Sequence, residues 1–191
     1  MTVALRLPAD TDLHPRVLVT QACEQLGHAA VAEWCVSLLV DGIGPDDPRQ
    51  PSLTWIGGAP AAAALRTGRL ARPDQSHWPR VWAVRALRYA WTPEAAPAIA
   101  RALADSSWRV RETAAKLATI QELAELVEQL ATLTADEVAR VRAAAVRGLG
   151  AMAESEHAHL IRAALDDPEP AVAAAARRAL AELCHRLDRE L

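Results

Sequence analysis

The chain has no Phe, one Tyr and one lysine, Lys116, among 191 residues. Scarce aromatic and β-branched residues argue against a β-sheet protein, because those side chains fill pleated surfaces. Net charge is −3, so no global positive field draws the protein to nucleic acid or to an anionic membrane. Three cysteines, Cys23, Cys35 and Cys184, form no CxxC pair and read as reduced, buried thiols of a cytoplasmic protein. No apolar run reaches the roughly 18 residues that a membrane span needs. The N-terminal MTVALRLPADTD lacks a basic segment followed by a long apolar one, so no signal peptide is expected. Phosphate-loop, dinucleotide and serine-nucleophile fingerprints are also missing, and no catalytic residue set is assigned.

What is abundant is alanine and leucine, within a 51% hydrophobic composition. Alanine has the highest helix propensity and lets neighbouring backbones approach, so an all-α chain of closely packed helices is expected.

One phrase recurs. Asp105 is followed by Val110 and Arg111, and Asp136 by Val141 and Arg142, an offset of 31 residues. The same offset outward gives Asp74 and Asp167. It also aligns Ala83, Ala114, Ala145 and Ala176, and the basic column Arg85, Lys116, Arg147 and Arg178. Constant spacing of this kind marks a tandem repeat whose units stack to share a core. Within each second helix, an apolar stripe follows from 100° per residue. It comprises Val141, Ala145, Gly148, Leu149 and Met152 in one unit, and Val172, Ala176, Ala179, Leu180 and Leu183 in the next.

The expected organisation is a single domain over 1–191. Helices are expected near 12–27, 28–40, 60–71, 78–91, 93–104, 108–119, 121–133, 139–151, 155–165 and 169–187. Asp12 is the expected cap of the first, with Asp41 closing the second. Residues 12–41 read as a degenerate first repeat and 60–187 as four regular ones. Between them, 42–59 holds three prolines and four glycines, including Gly42, Gly44 and Pro45, and reads as an irregular loop. Trp55 and Ile56 are expected to tuck it down.

The Asp105…Val110-Arg111 and Asp136…Val141-Arg142 phrases, with the Leu149-Gly150 ending, resemble the HEAT repeat. The likeness is to the short bacterial form called the phycobilin-lyase HEAT-like repeat. The resemblance covers 60–187 well, 12–41 weakly and 42–59 not at all. It implies an α-solenoid of antiparallel helix pairs. It also implies a ladder in which Asp and Arg bond between neighbouring repeats, through Asp74, Arg80, Asp105, Arg111, Asp136 and Arg142. The ladder is expected to stop at the last unit, where Ala173 stands in place of Arg.

The column Arg85, Lys116, Arg147 and Arg178 has no acidic column travelling with it. At helix spacings of 8–10 Å it would run roughly 30 Å along the concave wall. Charges of +3, +2, +3 and +1 fall on 78–91, 108–119, 139–151 and 169–187, whereas Glu122, Glu125 and Glu128 mark an acidic outer wall. Trp78 and Trp108, at turns beside His77 and Arg109, are candidate anchors of a binding face. Trp82 and Trp91 are assigned to the core. His157 and His159 are two apart and do not share a helix face, so no metal site is assigned, and no cofactor.

Three readings remain open. The preferred one is a non-catalytic protein-interaction scaffold that holds an acidic partner segment on a basic concave face. The second, from the resemblance, is a nucleic-acid binder or DNA glycosylase-like enzyme. The third is a bilin lyase-like protein, suggested by the repeat's name alone.

Overall fold

Proline marks helix starts in this chain, because the first turn of a helix has no use for the missing N–H. Helix α1 (Pro15–Leu26) and helix α10 (Pro170–Leu187) begin on one, and Pro79 is the second residue of α4 (Trp78–Leu87). The computed structural model describes residues 7–40, 47 and 50–188. The remaining helices are α2 (His28–Val40), α3 (Thr54–Arg66), α5 (Ala96–Ala102), α6 (Trp108–Ile120), α7 (Val127–Leu133), α8 (Ala139–Met152) and α9 (Ala158–Ala163). Among the described residues there are ten α-helices and no strand, which is consistent with an α-solenoid. No helix among them is long and apolar enough to cross a membrane. Two compact units divide the chain, Met1–Ala98 and Ile99–Leu191.

In the first unit α1 packs on α2 and α3, and α4 packs on α2 and α3. Leu18, Val19, Val31, Trp55, Ile56 and Leu87 are fully buried there. The cap of α1 is His14, whose Nδ1 accepts from the Arg16 N–H at 3.2 Å; the Asp12 amide donates instead to Asp10. Asp12 therefore sits two residues too early to cap, since the helix waits for Pro15.

Helical structure also starts earlier than expected after the loop. A first turn forms at Thr54–Gly57, and the chain kinks at Gly58, φ +59°, before running on through Pro60. Glycine tolerates that left-handed turn, and Pro60 just after it needs no donor partner. Trp55 and Ile56 are 1% and 0% exposed in this turn. The sequence reading missed it because two glycines in a row argue against a helix on propensity alone, and burial of two large side chains overrides propensity. The expectations for Asp41, Gly42, Gly44 and Pro45 fall outside the described residues.

The second unit has two layers. Helices α6, α8 and α10 lie side by side, with α7 packed on α8 and α9 on α10. Val110, Leu130, Val141, Leu149, Ile161, Val172 and Leu183 are fully buried between them. Of the expected stripes, only Met152 and Leu180 are half-buried rather than buried. Helix α8 is buried more broadly than one stripe, at Ala143, Ala144 and Val146 as well, because it has neighbours on both flanks.

The first helices of the pairs are shorter than their sequence spans. Pro93–Ala95, Ala124–Leu126 and Ser155–His157 are 3-10 turns leading into α5, α7 and α9. Tighter turns at helix entrances satisfy orphan backbone groups over a few residues. Trp82 is buried as expected, but Trp91 is half-buried, because α4 ends at Leu87 and leaves Trp91 in the connection.

Candidate functional site: the cationic face of the second unit

Each pair of repeats in the second unit is tied by an arginine. Arg111 donates from Nε to Asp136 Oδ2 at 2.7 Å and from Nη2 to Asp136 Oδ1 at 3.1 Å. Its Nη1 turns back to the Asp105 carbonyl at 2.9 Å. Arg142 repeats the pattern 31 residues later, with Asp167 at 2.7 and 2.9 Å and the Asp136 carbonyl at 2.9 Å. Each aspartate has a second task. Asp105, Asp136 and Asp167 each accept the amide two residues on, at Ser107, Val138 and Glu169, and so shape the turn into the next helix.

The six-residue phrase thus works differently from a side-chain pair within one repeat. The arginine meets its own repeat's aspartate at the backbone carbonyl and the next repeat's aspartate at the carboxylate. Asp167 is the acceptor of the last rung, beyond the six residues named from sequence. Asp74 is exposed and bonds with Arg72 and Gln75. Arg80 donates to the Ser76 carbonyl at 3.3 Å.

The basic column does not behave as one solvated row. Arg85 is half-buried and donates from Nη2 to the Ile56 carbonyl at 2.9 Å; burial lowers the pKa of its guanidinium. It serves the kinked turn of α3. Lys116 is exposed but is not without an acid: its Nζ lies 2.6 Å from Glu112 Oε1, one turn back on α6. Arg147 is half-buried, its pKa lowered by burial and by the neighbouring charge of Arg178, with Glu112 opposing. Arg178 is exposed.

Glu112 is the centre of this face. Its side chain is 9% exposed, and the same Oε1 that meets Lys116 also accepts from Arg140 Nε at 3.1 Å, across from α8. Arg140 itself remains 67% exposed. A cavity of about 270 Å³ opens here, lined by Glu112, Ala139, Arg140, Ala143, Arg147 and Glu169. Its lining comes from α6, α8 and the start of α10, and none from α7 or α9.

At one edge is Trp108, half-buried, with the Arg109 guanidinium 4.3 Å from its ring centre and that of Arg140 at 5.5 Å. Such cation–aromatic contacts hold planar groups flat on a surface. Trp78, in the first unit, stacks on Trp82 at 6.1 Å and donates to Gln75 at 3.0 Å. Those contacts make it a packing residue as much as a surface one.

Arg140 and Glu112 were not singled out from sequence. A signal existed for Arg140, which lies 31 residues after Arg109 and seven before Arg147. Glu112 offered none, because its repeat equivalents are Val81, Ala143 and Ala174. Glu122, Glu125 and Glu128 are exposed around α7, and Glu128 reaches His157 Nε2 at 3.0 Å. His159 bonds to the Glu156 carbonyl at 2.6 Å. Among the described residues no three His, Cys, Asp or Glu side chains converge as a metal site would require. The three cysteines are free thiols; Cys35 is buried as expected, but Cys23 and Cys184 are only half-buried.

A family model described as HEAT repeat matches residues 126–155, the stretch holding α7, the Asp136 turn and α8. That match supports a HEAT-repeat protein. No curated protein matches the chain.

Proposed function

We propose that this protein is a non-catalytic interaction scaffold, a single HEAT-like solenoid of 31-residue units that binds an acidic protein segment on the face formed by α6, α8 and α10. HEAT repeats are commonly protein-interaction scaffolds, which supports the class. One observation supports the chemistry: Arg140 and Arg147 line the cavity beside Glu112 and Glu169, Lys116 pairs with the same Glu112, and the charge of Arg178 reaches Arg147. Four cations against two acids leave an attraction for a polyanion, in a protein whose net charge is −3. Trp108 beside the cavity adds a flat apolar contact of the kind that anchors interfaces. Arg85 is left out of this face, since its guanidinium is engaged with the Ile56 carbonyl.

The ligand class is tested by fluorescence anisotropy with three labelled probes: a random Glu/Ala copolymer peptide, a Gln/Ala peptide of equal length, and duplex DNA. The expected order is Glu/Ala first, with the neutral peptide at least about tenfold weaker. Binding of DNA above the acidic peptide, with a steep fall in affinity as salt rises, would replace the scaffold by a nucleic-acid binder. Equal binding of the acidic and neutral peptides would remove the electrostatic reading.

A further inference from the structure

The cavity face carries a spacing as well as a charge. Arg140 and Arg147 both line it from one helix, α8, seven residues apart. Seven residues are nearly two turns, so the two cations share a face and stand about 10.5 Å apart along the axis. Lys116 lies on the neighbouring α6, paired to the same Glu112 that Arg140 meets. Between the two levels of positive charge sits an acid: Glu112, buried and already shared by two cations. The remaining floor is small, at Ala139, Ala143 and Ala171.

A ligand with evenly dense negative charge fits this poorly. A carboxylate placed midway would meet Glu112 in a partly dry setting, where like charges a few ångströms apart repel strongly. A ligand with negative charge at two levels and none between fits well. An α-helix laid along α8 meets that requirement if its acids are seven residues apart, since its own axial rise then matches that of Arg140 and Arg147. Alanine side chains between the levels let such a helix approach to the usual 8–10 Å.

We infer that the face of α6, α8 and α10 selects an acidic α-helix whose carboxylates recur seven residues apart with no acid at the positions between them. This deepens the scaffold reading and rests on it. Glu112 is the specificity element: it positions Lys116 and Arg140, and excludes intervening acids. Arg140 and Arg147 receive the two carboxylates.

The test uses the full-length protein and labelled alanine-rich helical peptides of roughly 20 residues, long enough to hold helix in isolation. One carries glutamates at i, i+7 and i+14. A second has the same composition with glutamates at i, i+4 and i+8. A third is the first peptide with a central proline. The seven-spaced helix is expected to bind about tenfold tighter than the four-spaced one, and the proline variant to lose that advantage. Glu112→Gln keeps a hydrogen-bonding group beside Lys116 and Arg140 but removes the repelling charge, so the four-spaced peptide should gain and the gap should close. Equal affinity for both spacings in the wild type overturns the inference, as does a gap that survives Glu112→Gln. If a random Glu/Ala copolymer still binds in either case, the scaffold reading stands and only the spacing fails. If no acidic peptide binds, both fall.

Discussion

Replacing Asp136 by Ala should destabilise the protein by about 2–3 kcal/mol, the largest loss expected from any single surface-type residue here. Three effects add. The two-pronged bond from Arg111 is lost, and the side chains of that pair are only 12% and 5% exposed, so the arginine is left partly dry. The Val138 amide loses its acceptor at the turn into α8. Arg142 keeps the Asp136 carbonyl, which is backbone and survives the change, so the next rung stays in place. Arg111→Ala should cost less, because it leaves the Asp136 bond to Val138 intact. Chemical denaturation midpoints at constant m-value measure both.

The same rungs set the acid response. Burial, the largest single influence, would raise the Asp136 pKa, but the Arg111 bond, the Val138 amide and the charges of Arg111 and Arg142 together outweigh it and the net shift is downward; the Arg142 bond lowers that of Asp167. With folded values below the unfolded one, the unfolded chain binds more protons as pH falls past about 4. The rung stabilisation is thus complete above that pH and drains away below it. Asp136→Asn with Asp167→Asn should flatten stability against pH in that range.

Gly150→Ala is the second large effect, about 2 kcal/mol net. A methyl at Gly150 would stand 2.6 Å from the Ala179 Cα and 2.8 Å from its carbonyl oxygen, so α10 itself must move. The better helix propensity of alanine returns only about 1 kcal/mol. Gly148→Ala is the control. It meets Leu130 Cδ1 at 2.8 Å and Thr119 Oγ1 at 3.0 Å, ends of side chains that can turn away. Thermal melts should separate the two, with Gly148→Ala near wild type.

How far the sequence reveals these features depends on whether a residue's role repeats. Arg111 and Arg142 do the same job in successive units, so their spacing shows in the letters. What the letters lack is direction. The 31-residue column treats Arg85 and Lys116 as equivalents, yet one bonds a carbonyl exposed by the Gly58 kink and the other an acid on its own helix. The Glu112–Arg140 bond joins residues 28 apart on different helices, and the repeat equivalents of Glu112 are Val81, Ala143 and Ala174, none of them an acid. A contact made once leaves no periodic trace. Short 3-10 entrances are likewise invisible, because their apolar pattern continues that of the helix they precede.

The claim that charge on the α6–α8–α10 face reads an acidic partner is tested most directly by neutralising that face without disturbing the fold. In the triple variant, Arg178→Gln, exposed and away from Glu112, should shift stability by less than about 0.5 kcal/mol, whereas Lys116→Gln and Arg140→Gln leave the buried Glu112 with neutral donors only and cost more, which the helicity check follows. Glutamine at 116 and 140 can still donate to Glu112. The measurement is anisotropy of a labelled Glu/Ala copolymer titrated with wild-type and triple-variant protein at one ionic strength, with circular dichroism as the check on helicity. The predicted result is a loss of affinity of about tenfold or more at unchanged helicity. Wild-type affinity retained by the triple variant would contradict the account and move the binding surface off this face.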